Sequence, residues 1–412
     1  MAILHPFKGY RPTKELCSKV AALPYDVMSS AEAREMVKND PYSFLHVDRA
    51  EVDLPAGTDI YSDEVYKKAA DNLNSMIADG IYIQDSEPVL YVYRLTMNGR
   101  SQTGLVGCSA IDEYIEGKIK KHELTRADKE EDRIRHVDAC NANTGPIFLT
   151  YRGKAEIDKI IAEVTSAPAE YDFTSEDGVS HTVWVISDKA VIDSLVKLFA
   201  GVDSLYIADG HHRNASAVKV GIKRREAAGS YSGEEEFNFY LSVLFPANQL
   251  HIMDYNRVVK DLNGMSADEF FAALSKKFDI EQTDGICSPE KAHTFGMYIG
   301  KKWYRLTAKP HIIKDDAVDG LDVSILQNEV LSPLLGIGDP RTDKRIDFVG
   351  GIRGLSELEK RVDSGEMTLA FSMYPTSMDE LMAIADSGKI MPPKSTWFEP
   401  KLRSGIFVHK LN

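Results

Sequence analysis

Five consecutive residues, Asp209-Gly210-His211-His212-Arg213, gather a carboxylate, two imidazoles and a guanidinium into one short run. They follow Leu205-Tyr-Ile-Ala, an apolar run of strand length, and precede a stretch from Asn214 in which Ala and Val recur at helical spacing towards Gly221. The expected local order is strand, polar turn, helix. A helix N-terminus offers unpaired backbone N–H groups and the positive end of its dipole, so His211, His212 and Arg213 placed there suit a phosphate. Gly210 has no side chain to keep that group from the backbone, and Asp209 supplies the negative charge that a Mg²⁺ ion or a hydroxyl proton requires. Each residue alone has an ordinary structural explanation: a helix cap for Asp209, backbone partners for the histidines, a surface ion pair for Arg213. Four of them in five positions behind a strand favour the chemical explanation.

A second polar concentration runs from Lys120-Lys121-His122-Glu123 to Arg126 and on through Lys129 to His136. Residues 127 to 136 read equally well as a solvated helix laced by i,i+4 charge pairs. Lys121, His122 and Glu123 differ, because they lie where a strand pattern has ended and the helix has not begun. Further on, the glycine- and charge-rich loop from Gly338 to Gly351 carries Arg341, Lys344 and Arg345, which can hold a phosphate or simply turn in solvent. Lys394-Ser-Thr, ahead of Trp397-Phe398, resembles a phosphate contact without the glycine spacing of a P-loop. His251 and Arg257 are further pocket candidates, although a lone His beside a strand is more often structural.

The elements that must carry these residues alternate between helix and strand. A helix is expected after Ser29 or Ser30, a strand-like run over Tyr42 to Val47, and an amphipathic helix from Asp59 to Asp79. Val89 to Ile111 reads as two strands around the turn pair Asn98-Gly99, a strong hairpin signal. Strands at Phe148 to Tyr151 and Thr182 to Ile186 flank a helix over 155 to 165, and Phe237 to Phe245 is a long buried strand. Trp303 falls in a hairpin, and helices are expected over Leu321 to Leu335 and Ser377 to Asp386. No internal repeat or low-complexity segment is present.

Composition narrows the class. The 412 residues are 43% hydrophobic and 27% charged, a globular profile long enough for more than one domain. The formal net charge of −14 argues against a nucleic-acid backbone or an anionic membrane as the main partner, since both reward a basic face. No apolar run reaches membrane-spanning length, and the opening Met-Ala-Ile-Leu-His-Pro lacks the form of a secretory leader, so a cytoplasmic protein is expected. Cys17, Cys108, Cys140 and Cys287 are scattered without metal-ligand spacing and read as reduced, mostly buried thiols.

Several stretches together resemble the domain-of-unknown-function family 1015: Leu23-Pro-Tyr-Asp-Val, Pro41-Tyr-Ser-Phe-Leu-His-Val, His122-Glu-Leu-Thr with Glu131-Asp-Arg, Ala208-Asp-Gly-His-His-Arg, Phe348-Val-Gly-Gly and Met391-Pro-Pro-Lys-Ser-Thr-Trp-Phe. The resemblance covers almost the whole chain and implies no activity. A narrower one links Asp209-Gly-His-His-Arg to the ParB and sulfiredoxin superfamily, in particular to its free-serine kinases, which phosphorylate L-serine from a nucleotide. That resemblance implies Glu123 as catalytic base, Asp209 and His211 as catalytic residues with Asp209 on the metal, and Gly210, His212 and Arg213 against the nucleotide, where Arg341 and Lys394 are expected to join them. Glu123 and Asp209 lie 86 residues apart, farther than in the compact kinases, so an insertion is expected near residues 150 to 195. Without it, Glu131, Asp132 or Asp26 would replace Glu123.

The resulting expectation is an α/β protein with a mixed sheet: an N-terminal segment over 1–84, a ParB/sulfiredoxin-like core over 85–260, and a C-terminal segment over 261–412 packing back on the core. The expected function is a phosphotransferase using Mg²⁺ and ATP or ADP, or pyrophosphate, on a small hydroxyl substrate such as L-serine. A nucleotide or phosphoester hydrolase and a non-enzymatic nucleotide-binding module are the alternatives. Neither nucleic acid nor membrane is an expected partner, and self-association into a homo-oligomer stays open.

Overall fold

In the computed structural model, which describes residues 2–412, the chain divides into two units. The first runs to Leu250 and is rejoined by Pro400–Asn412; the second is His251–Glu399. Residues 2–84 and 85–250 thus share one unit.

The first unit contains, in chain order, helices α1 (Leu45–Asp48) and α2 (Asp63–Ala78), strands β1 (Leu90–Met97), β2 (Arg100–Ala110) and β3 (Ile119–Lys120), helix α3 (Ala127–Cys140), strand β4 (Ile147–Tyr151), helix α4 (Ala155–Val164), strands β5 (Tyr171–Thr174) and β6 (Ser180–Ile186), helix α5 (Lys189–Phe199), strand β7 (Leu205–Asp209), helix α6 (His211–Ala228) and strand β8 (Phe239–Pro246). The eight strands form one sheet in the order β3-β7-β4-β8-β2-β1-β6-β5. It is mixed: β3 runs parallel to β7 and β4 parallel to β8, while every other neighbour is antiparallel. β1 and β2 form the expected hairpin, with Asn98 and Gly99 both at positive φ, as a tight two-residue hairpin turn demands. Between the adjacent strands β4 and β7 the chain makes a long excursion through α4, α5 and the β5–β6 hairpin, which extends the far edge of the sheet.

The run Tyr42 to Val47 is not a strand. Ser43 to Phe44 turn the chain and Leu45–Asp48 closes one helical turn, in which Leu45 and Val47 are both buried. Burial on two sides removes the alternation that separates a strand from a helix in so short a run. The core beneath the large sheet joins Leu90, Val92, Leu105, Leu149, Leu205 and Ile207 to Leu195 and Phe199 of α5. All four cysteines are buried and free.

The second unit holds β9 (Tyr255–Val259), β10 (Phe278–Thr283), β11 (Thr294–Ile299), β12 (Lys302–Ala308), β13 (Ile346–Gly350) and β14 (Leu369–Ser372), in the antiparallel order β10-β12-β11-β14-β9-β13. Residues 346–350, expected within a loop, are a strand because they pair along β9 from Tyr255↔Gly350 to Val259↔Ile346. Helices at Ala267–Leu274 and Met378–Asp386 each begin with a capping box, on Ser266 and Ser377. Among the described residues no helix is long and apolar enough to cross a membrane.

Candidate functional site

The first site-forming feature is β7 itself. Leu205 to Ala208 are all buried, as in a central strand covered on both faces, and the pairing with β4 shifts register between Ile207 and Asp209. This bulge frees Asp209 from the alternation that would turn it with Leu205 and Ile207 into the apolar core. Gly210 then takes φ 91°, a left-handed geometry that favours glycine, and α6 begins at His211. A Cβ on Gly210 would stand 3.3 Å from Nε of Arg213, whose guanidinium folds back over the turn.

The second feature is the parallel pairing of β3 with β7, Ile119↔Leu205 and Tyr206↔Lys120. Parallel neighbours leave the sheet at the same edge, so Lys121-His122-Glu123 emerges beside Asp209-Gly210-His211 despite the long sequence separation. His122 is 1% exposed and hydrogen-bonds the backbone of Ile207. Its ring meets that of buried His211 edge to face, with centroids 4.5 Å apart. The Glu123 carboxylate, 40% exposed, lies 4.0 Å from His211 Nδ1. Each of His122, Glu123 and His211 offers one ligand atom, all within 4.8 Å of one another.

Burial sets the charge states. It pushes the imidazole of His122 down to about 4, against a smaller opposing pull from Asp209. His211 also falls well below its ordinary value through burial, with neighbouring His122 adding to the effect. Both imidazoles are neutral near pH 7, the form in which histidine ligates a metal. His211 Nε2 is buried without a hydrogen-bond partner. Two neutral imidazoles and one carboxylate suit a borderline divalent cation such as Zn²⁺ better than Mg²⁺, which prefers oxygen ligands.

Asp209 has a different setting. Its carboxylate accepts from Gly210 N at 2.8 Å and from Lys401 Nζ at 3.0 Å. Burial alone would raise its pKa, but Lys401 and Arg213 hold it well below the usual carboxylate range. Arg213 donates from Nη1 to the Pro146 carbonyl at 2.8 Å, while its Nε is buried without a partner. His212 accepts from Arg126 N at 3.0 Å through Nε2 and so ties the segment after Glu123 to the start of α6. The next residue but one, Asn214, is fully buried with both side-chain polar atoms unpartnered.

The structure therefore brings Glu123, Asp209, Gly210, His211, His212 and Arg213 to one edge of the sheet and adds His122, Lys401 and Asn214. His122 carried a signal in its place beside Glu123; Lys401 and Asn214 had none. Of the other acids, Asp132 is committed to Tyr66 and Arg133, each at 2.9 Å, Glu131 is exposed on α3, and exposed Asp26 exerts its charge on His212 and Arg213. Arg341 and Lys394 belong to the second unit, where Arg341 forks onto Asp339 and Lys394 lies over the Tyr255 ring.

A mixed α/β protein with a polar cluster at one edge of its larger sheet is the class these observations define. The chain belongs to the family described as "Protein of unknown function (DUF1015)", whose model matches residues 4–324. No curated protein matches it. Solved structures similar to it include a conserved hypothetical protein from Pyrococcus furiosus (15% identity, 73% of this chain and 93% of that one, TM-score 0.33). A free serine kinase in complex with AMP is similar at 14% identity, over 73% and 91% of the two chains, with a TM-score of 0.35. SbnI from Staphylococcus aureus, with a C-terminal truncation, is similar at 12% identity, over 73% and 85%, with a TM-score of 0.38. Similarity at this level assigns neither the site nor an activity.

Proposed function

We propose that the first unit is a nucleotide-dependent phosphotransferase acting on a small hydroxyl substrate, with free L-serine the leading acceptor and O-phosphoserine the product. The observation that carries this reading is the meeting of Glu123 with the Gly210–His211 turn, which sets a half-exposed carboxylate beside a helix N-terminus. The donor phosphates would lie against the first turn of α6, held by its backbone N–H groups and by Arg213. The acceptor hydroxyl would give its proton to Glu123 as its oxygen bonds the terminal phosphorus, and the bond to the leaving phosphate would break. Asp209, locked by Lys401, fixes the turn. ATP, ADP and pyrophosphate all meet the requirement for an anionic donor, and L-serine is the acceptor implied by the resemblance of the Asp209-Gly-His-His-Arg run to free-serine kinases.

A second reading, hydrolysis of a nucleotide or phosphoester, is supported by the convergence of His122, Glu123 and His211. A divalent cation held by these three would supply an acidified water at neutral pH. One assay separates the readings: incubation of the purified protein with each donor, Mg²⁺ or Zn²⁺, and an amino-acid panel, followed by mass spectrometry. A phosphorylated amino acid supports transfer; free phosphate formed without an acceptor supports hydrolysis; nucleotide binding with no turnover supports a regulatory module.

A further inference from the structure

The second unit buries a positive charge that no acid among the described residues neutralises. Arg257, in the middle of β9, is 3% exposed. It donates from Nη2 to the Lys394 carbonyl at 3.1 Å and from Nη1 to the Tyr255 carbonyl, and its guanidinium lies 5.4 Å from the Phe348 ring centroid. The buried Arg133 and Arg403 and the partly buried Arg11 each have a carboxylate: Arg133 meets Asp132 at 2.9 Å, Arg11 meets Asp85 at 3.1 Å, and Arg403 meets Asp177. The contrast shows in their protonation. Arg11 and Arg133 are pushed up despite burial, whereas burial lowers Arg257 to about 10 with only Tyr255 opposing it.

A second cation stands on the same patch. Lys394 holds φ 58°, a left-handed geometry uncommon for a residue with a side chain, and its ammonium lies 5.7 Å from the Tyr255 ring centroid. Tyr255 and Arg257 alternate onto one face of β9, opposite Gly350 and Phe348 of β13. Trp397 closes over Gly350, where a Cβ would come within 2.9 Å of the indole ring. Taking a guanidinium out of water without an anion is costly, and its fork matches the paired oxygens of phosphate or carboxylate.

We infer that Arg257 and Lys394 form a seat for a small oxyanion, a phosphate or a carboxylate, on the aromatic patch of Tyr255 and Phe348. The seat lies within the second unit and does not depend on phosphoryl transfer in the first. Its test uses the full chain and inorganic phosphate or acetate, with chloride at equal ionic strength as control. Thermal unfolding and titration calorimetry are read on the native chain and on Arg213→Met, so that phosphate bound at the α6 turn cannot stand in for this site. At least one of the two anions should raise the melting temperature of both chains, and which one does so identifies the ligand class. Arg257→Met should abolish the rise and weaken affinity by about ten- to a hundredfold. In anion-free buffer it should be no less stable than the native chain, because the substitution removes an uncompensated buried charge. Lys394→Met, at an exposed position that leaves folding intact, should weaken affinity about three- to tenfold and decides the matter if Arg257→Met does not fold. The inference is overturned if neither anion shifts the Arg213→Met chain, or if the rise persists when Arg257 or, failing that, Lys394 is replaced.

Discussion

Lys401 reaches Asp209 across 192 residues of sequence and sets its ammonium 3.0 Å from the carboxylate. The C-terminal segment Pro400–Asn412 thereby takes part in the polar edge built by β7 and α6. Lys401→Met should cost about 1–3 kcal/mol, a figure reduced for the partial exposure of Asp209. Asp209→Asn combined with Lys401→Met should recover part of it, since the orphaned charge is then gone. The pair holds the folded carboxylate below its unfolded pKa, so its contribution is present at neutral pH and is lost as pH falls through the acid range below the unfolded value near 3.9. Urea unfolding of the single and double variants between pH 7 and pH 3 measures both effects.

A second pH dependence comes from His122. Its folded value of about 4 lies below the unfolded 6.5, so the unfolded chain binds the proton first on acidification. The stability that neutral His122 contributes is complete above pH 6.5 and is lost as pH falls towards 4, to a total of roughly 3 kcal/mol. His122→Gln should flatten the stability profile within that window relative to the native chain. An unchanged slope would mean that His122 titrates alike in the folded and unfolded chains.

Gly210→Ala tests the turn. Alanine at φ 91° should cost about 1–2 kcal/mol in strain, and its Cβ would press on the Arg213 guanidinium. Nucleotide affinity should fall together with stability. Calorimetric titration of a folded sample with ATP and ADP reads the affinity, and native-like binding would place the donor away from this turn.

Much of this arrangement was legible in the sequence, and the remainder has a physical reason. The succession Leu205-Tyr-Ile-Ala, Gly210, then alanine-rich helix is local, so strand, turn and helix could be read directly. Asn98-Gly99 specified its hairpin in the same way. The pairing that brings Glu123 to His211 rests on β3, two residues long, which is too short to carry a period. Lys401 gave no signal because an ion pair between distant segments leaves no local pattern. The π-helical turn at Gln327–Leu331, inside the expected helix over 321 to 335, was likewise invisible to an apolar count.

The cluster of His122, Glu123 and His211 predicts a choice of metal. Zn²⁺ should raise the melting temperature of the native chain more than Mg²⁺ does, and His211→Gln should abolish the difference. Equal shifts from Mg²⁺ and Zn²⁺ in both chains would leave the cluster without a ligand role.

The central claim is that Glu123 takes the acceptor proton beside the α6 turn, and it is tested most directly by pairing a turnover assay with a donor titration on Glu123→Gln. With the donor and acceptor that yield a phosphorylated product, turnover should fall by about 10² to 10⁴, roughly 3 to 5 kcal/mol of barrier, while donor affinity stays within about twofold of native. Native turnover in Glu123→Gln, or an equal loss of donor binding and rate, would contradict the account.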